Sequence, residues 1–170
     1  MDTPLIEESC GELRRLLAHE AEQLEPELRQ EILRVTSGLT PANLLESYGR
    51  LNAHPALSMC FGRAVANLTA GMRTSLKTHL RLDFVRQMQR LEATALHPEL
   101  AQTLKGMKEV RGSCPRAEEI VEYEELKPTD RRKNRIHPHV RVCSRCRLLL
   151  LNMAEPSGWE KHLQALLGRC

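Results

Sequence analysis

Cys114, His139, Cys143 and Cys146 are the residues of this 170-residue chain whose types and spacing can do chemistry. The last three form an H-x3-C-x2-C array, and thiolate sulfur with neutral imidazole is the ligand chemistry by which Zn2+ fills a closed tetrahedral site. On a helix, His139 and Cys143 are one turn apart and Cys146 is nearly one turn further, so all three side chains reach one side. Cys114 completes a Cys3His set from what is expected to be a preceding helix. With six Cys and seven His in the chain, a C-x2-C arises by chance in about one such chain in six, and a His four positions ahead reduces this to about one in a hundred and fifty. The array is therefore informative alone, while Cys114, loosely spaced from His139, adds less. Two other uses compete: inert buried thiols beside a surface histidine, and a catalytic C-x2-C redox pair. The second lacks the alternating strands and helices that a thioredoxin-like context requires.

From Cys114 onward the chain reads CPRAEEIVEYEELKPTDRRKNRIHPHVRVCSRCRLLLL. This resembles the zinc-containing anti-sigma factor domain. The family's first-helix ligand corresponds to Cys114, its acidic and apolar stretch to Glu118 through Leu126, its turn to Pro128 and its charged second helix to Thr129 through Ile136. His139, Cys143, Cys146, Arg147 and Leu148 then match the ligand array and its Arg-Leu sequel. The resemblance covers residues 113–154, and runs to 168 if a final helix is included. It implies a small helical domain holding Zn2+ on Cys114, His139, Cys143 and Cys146, and a sigma factor as the protein bound and inhibited. Some family members respond to oxidation by expelling zinc and forming a disulfide that releases the sigma factor, so a redox sensor is implied as well. Pro138 immediately precedes His139 where the family has a helix former. Because an interior proline removes a backbone donor and clashes with the carbonyl four residues earlier, the second helix is expected to kink or restart there. His137 then either caps the restart or competes as ligand with His139, which has the family spacing.

The elements that must position these ligands are expected to be helices throughout. Hydrophobic residues make up 41% of the chain, enough for a core, whereas aromatics are only 3%. Abundant Leu, Ala, Glu, Arg and Gln favour an all-α fold over a sandwich or barrel. The same scarcity leaves little for a base-stacking surface on single-stranded nucleic acid. The longest apolar run is Leu148 to Leu151, far below the roughly 20 residues of a membrane span. The N-terminal residues are not a signal peptide, which leads to a cytoplasmic location and reduced thiols. No Ser-His-acid grouping, phosphate loop or H-E-x2-H motif is present, so an enzyme is not expected.

Apolar spacing and proline positions divide the chain. Leu5, Ile6, Cys10, Leu13, Leu16, Leu17 and Leu24 mark a first helix, and Pro26 opens a second carrying Leu28, Ile32 and Val35 up to Gly38. Thr40 and Pro41 start a third with Leu44, Leu45, Tyr48 and Leu51, broken at His54-Pro55. Between Pro55 and Pro98 one long central helix, bent at Gly71, is expected to bury Val65, Leu68, Met72, Leu76, Leu80, Phe84, Met88 and Leu91. A helix from Pro98 to Val110 follows, and Gly112 marks a boundary between an N-terminal bundle (1–112), read as a sensor or interaction domain, and a zinc domain (113–170).

Charge divides at the same point, because residues 1–112 balance at 14 basic and 14 acidic side chains while the remainder holds 11 and 8. Within the second part Glu118, Glu119, Glu122, Glu124 and Glu125 precede Lys127, Arg131, Arg132, Lys133, Arg135, Arg141, Arg145 and Arg147. Such segregation gives either two solvated faces in mutual salt bridges or a basic surface for nucleic acid or an acidic protein. A final amphipathic helix begins at a Ser157–Glu160 capping box, and Trp159, Leu163, Leu166 and Leu167 share one of its faces. That face either docks the partner or completes the zinc domain's core. The reading that joins these features is a zinc-binding cytoplasmic regulator that inhibits a sigma factor. Its rivals are a zinc-stabilised nucleic-acid-binding module using residues 127–147 and a helical adaptor with structural zinc. The oligomeric state is open.

Overall fold

The computed structural model describes residues 3–90, 102, 103, 105 and 114–154, and all regular structure among them is helical. In chain order the helices are α1 (Thr3–Ala21), α2 (Pro26–Thr36), a 3-10 turn (Pro41–Asn43), α3 (Leu44–Asn52), α4 (Pro55–Ala66), α5 (Ala70–Gln89), α6 (Ala117–Glu125), α7 (Arg131–Val142) and α8 (Ser144–Ala154). The described residues form two compact units, one ending at Leu80 and one beginning at Arg81.

The first unit follows its apolar stripes. Ile6, Cys10, Leu13, Leu17 and Ala21 recur at three and four residues along α1 and are all buried, which turns one helix face into core. α1 packs on α2 and α4, and α3 packs on both of these. They contribute Ile32 and Val35, then Leu44, Leu45, Tyr48 and Leu51, then Leu57, Phe61 and Val65. The helix starts are those that local chemistry favours. Pro26 opens α2, Asn43 Oδ1 accepts the Thr40 N–H at 2.8 Å, and His54 Nδ1 accepts the Ala56 N–H at 3.2 Å to cap α4. Arg63 Nε meets Glu20 Oε2 at 2.7 Å and ties α4 to α1.

The expected single helix between Pro55 and Pro98 is instead two, broken at Asn67–Thr69 rather than bent at Gly71. Polar capping decides this. Thr69 Oγ1 accepts the Met72 N–H at 3.3 Å, and the Arg73 guanidinium donates to the carbonyls of Ala66 and Leu68 at 3.1 and 2.5 Å. The last carbonyls of one helix and the first amides of the next are thus satisfied by side chains, so the backbone can change direction at little cost.

The second unit takes in Arg81–Gln89, the end of α5, together with α6, α7 and α8. Its core is Leu82, Phe84, Val85, Met88, Ala117, Ile120, Val121, Ile136, Val140 and Leu149, with Cys143 and Cys146. Arg86 donates to Glu118 at 2.6 Å, Gln89 Nε2 donates to the Pro115 carbonyl at 2.8 Å, and Arg81 lies 3.8 and 3.6 Å from Glu124 and Glu125. These contacts group the end of α5 with the later helices, ahead of the boundary read at Gly112. Gly112 itself lies outside the described residues. So do the Pro98–Val110 helix, except for the helical residues Gln102, Thr103 and Lys105, and the final helix with Trp159, Leu163, Leu166 and Leu167.

Candidate metal centre

α7 carries the first ligand of the array. Asp130 caps it by accepting the Arg132 N–H at 2.8 Å, and the helix then runs through Pro138 to Val142 without the expected restart. Ile136 and Val140, one turn apart on either side of Pro138, are both buried, while the proline ring faces solvent. Burial on the opposite face therefore carries the helix past the missing donor. His139, half-buried, sits one residue beyond.

The true break is at Cys143, whose extended backbone (φ −88°, ψ 106°) ends α7. Its N–H still bonds the His139 carbonyl at 2.8 Å, and its own carbonyl accepts the Arg147 N–H at 3.0 Å to open α8. Cys143 is thus the last capping residue of one helix and the first of the next. The backbone N–H groups of Cys146 and Arg145 favour its thiolate, in the position an N-cap side chain takes. Cys146 follows in the first turn of α8. Cys143 and Cys146 are each 1% exposed. Cys114 comes from the extended segment ahead of α6 rather than from a helix as expected, and it is exposed.

These four side chains converge. Cys114 Sγ is 3.9 Å from Cys143 Sγ, Cys146 Sγ is 3.3 Å from His139 Nε2, and all four ligand atoms lie within 4.8 Å of one another. A tetrahedron with metal–sulfur bonds of about 2.3 Å and metal–nitrogen bonds of about 2.0 Å has sulfur–sulfur edges of about 3.8 Å and sulfur–nitrogen edges of about 3.5 Å. The two measured edges match these, and the donor set fits a bound cation.

The electrostatics point the same way. Burial raises the Cys146 thiol well above its ordinary range, and the neighbouring Cys114 and Cys143 thiols raise it further. Cys114 is exposed as a residue, but the part-burial of its sulfur within the cluster likewise pushes its thiol up. Burial also opposes charge on Cys143, yet the N–H groups of Cys146 and Arg145 and the two neighbouring thiols outweigh it and hold that thiol below its ordinary value. One anion among three clustered thiols is favoured and a second and third are opposed, a conflict that a cation at the centre resolves.

His137 takes no part in the cluster. It is exposed, its Nδ1 is 2.6 Å from the Tyr123 hydroxyl, and the two rings stack with centroids 6.3 Å apart. Lys133 sits 4.9 Å from the centroid of the same tyrosine ring. This pairing of Tyr123 with His137 was not foreseen, because it joins positions in two different helices. Among the described residues, the cysteines outside the site, Cys10 and Cys60, are buried, and burial pushes the Cys10 thiol up to about 11.

The segregated charges meet inside this unit. Arg135 pairs with Glu119, Arg132 with Asp130 at 3.2 Å and Glu122 at 3.4 Å, and Lys133 donates to the Leu126 carbonyl at 3.0 Å. The acidic face of α6 is thus held between arginines of α5 and α7. Lys127, Arg131, Arg141 and Arg147 are exposed. No helix among the described residues is long and apolar enough to cross a membrane. No family model, curated protein or solved structure matches the chain.

Proposed function

We propose that this protein is a zinc-binding regulator whose C-terminal helical unit binds and inhibits a sigma factor. The observation that carries the zinc assignment is the convergence of Cys114, His139, Cys143 and Cys146, whose ligand atoms all lie within 4.8 Å of one another with two edges at 3.9 and 3.3 Å. Three sulfurs and one imidazole favour Zn2+ over the harder cations, which prefer oxygen. Bound there, the ion would clamp the segment ahead of α6 to the α7–α8 junction and give a small unit the stability its core alone supplies poorly. The sigma-factor assignment rests on the sequence resemblance over residues 113–154. The salt bridges draw Arg132 and Arg135 onto acidic partners in the same unit, which reduces the basic surface that the rival nucleic-acid reading of residues 127–147 would use.

Metal analysis of protein purified without chelator or oxidant is expected to give one zinc per chain, and a value near zero removes the basis of the proposal. Capture of partners from the source cell, with and without chelator, tests the rest. A sigma factor recovered only in the metal-loaded state supports it, and nuclease-sensitive recovery of nucleic acid replaces it with the rival.

A further inference from the structure

The four ligands are not equivalent in how the fold holds them. His139, Cys143 and Cys146 lie within eight consecutive residues of a helix–break–helix segment. They are fixed by the Cys143 N–H bond to the His139 carbonyl and the Arg147 N–H bond to the Cys143 carbonyl, and by the buried flanks Ile136, Val140 and Leu149. Cys143 and Cys146 are closed to solvent. Cys114 is in no helix and is exposed. Among the described residues, the segment after it is tied by the Pro115 carbonyl to Gln89 at 2.8 Å and by the Arg116 N–H to Glu119 at 2.9 Å.

We propose that Cys114 is the exchangeable position of the metal centre: the other three ligands keep the ion while an external thiolate takes the place of Cys114, and metal enters and leaves through this edge. The inference rests on the reading that the cluster binds Zn2+. In the exchange, an incoming thiol binds through sulfur and its proton passes to the departing Cys114 thiolate. One metal–sulfur bond forms as another breaks, and no electrons are transferred. The exposed side admits the thiol, and the buried side holds the ion while it does so. A structural site closed on all four sides offers no such path.

The experiment uses the full-length chain loaded with Zn2+ or, for spectroscopy, Co2+, with 2-mercaptoethanol as the external thiol and EDTA as the metal acceptor. Cys114→Ser is expected to retain metal with lowered affinity, the loss exceeding the roughly 10–100-fold that removal of an outer-shell partner brings. Cys146→Ser is expected to lose the ion altogether. In the Co2+ form of Cys114→Ser, the thiolate-to-metal absorption falls by about a third, as three sulfurs become two, and 2-mercaptoethanol restores it in a saturable manner. In the Zn2+ forms, 2-mercaptoethanol speeds release to EDTA from the natural chain, by displacing Cys114, and slows it from Cys114→Ser, by filling the vacated position. Equal metal loss from Cys114→Ser and Cys146→Ser overturns the proposal, and so does a spectrum of Cys114→Ser unchanged from the natural chain or indifferent to thiol. A natural chain that binds neither metal overturns the zinc reading itself, a distinct result.

Discussion

At the scale of single residues, the test lies between two histidines two positions apart. His139→Ala is expected to release the metal, because it removes the ring nitrogen Nε2 that lies 3.3 Å from Cys146 Sγ in the cluster. His137→Ala removes the contact to Tyr123 and is expected to leave metal content unchanged. Metal analysis of both proteins decides, and the reverse pattern would show that the H-x3-C-x2-C register is misread. The array was legible because ligand chemistry constrains residue type and local spacing together, and both survive in a linear string. The source of Cys114 was legible only in part. Its identity as sulfur could be read, but its place outside a helix depends on α6 starting at Ala117, after Pro115. The capping role of Cys143 was hidden for another reason: cysteine is not among the usual N-cap residues, and only the break in the backbone exposes its sulfur to two amide N–H groups. Oxidation is tested at the same scale. Cys114 and Cys143, with sulfurs 3.9 Å apart, are the pair expected to form a disulfide when an external oxidant removes two electrons. Peptide mapping with zinc release followed in parallel would show it, and retained zinc while Cys170 oxidises would exclude it.

At the scale of elements, α7 combines a local penalty with tertiary support. Pro138→Ala returns a donor to the helix interior, where proline costs about 3 kcal/mol or more, so it is expected to raise the urea midpoint of the metal-free chain while leaving metal stoichiometry unchanged. A fall in stability would mean that the ring makes contacts outweighing its backbone cost. The contact between α5 and α6 has a definite pH dependence. The Arg86 guanidinium bonded to Glu118 holds that carboxyl below its ordinary value. A carboxylate lowered in this way stabilises the fold above its unfolded-state pKa and loses that contribution as pH falls through the lowered folded value. The pair is largely exposed to water, so its worth is about 0.2–1 kcal/mol. Arg86→Gln is therefore expected to lower the urea midpoint slightly at pH 7, and the difference is expected to shrink as pH falls through the lowered folded value of Glu118. Helix existence was readable from three-and-four spacing, and Leu44, Leu45, Tyr48 and Leu51 are buried as their pattern requires. The break at Asn67–Thr69 was not readable, because Arg73 acts there as a cap across several residues, and a long side chain's choice of backbone carbonyl leaves no periodic trace.

At the scale of the whole molecule, the division into units matters more than the helix count. The sequence boundary was drawn where glycine and a shift in charge balance coincide, at Gly112. The contacts that group Arg81–Gln89 with α6 and the residues just ahead of it are made by Arg81, Arg86 and Gln89, whose partners lie 43, 32 and 26 residues away, and single-chain periodicity cannot reveal such pairings. The consequence is testable by hydrogen exchange on the full-length chain with and without chelator. Metal that binds only the folded unit adds its binding free energy to that unit's stability. Removing it is expected to speed amide exchange in α6, α7 and α8 and in the Arg81–Gln89 part of α5, while α1 to α4 keep their protection. Leu13→Ala, at a fully buried position in α1, is the converse probe. It is expected to destabilise the first unit by about 2–5 kcal/mol and to leave metal content unchanged. If chelation instead loosened α1 to α4 as much as α6 to α8, the two units would unfold as one cooperative body, and occupancy of the metal centre would be felt along the whole chain.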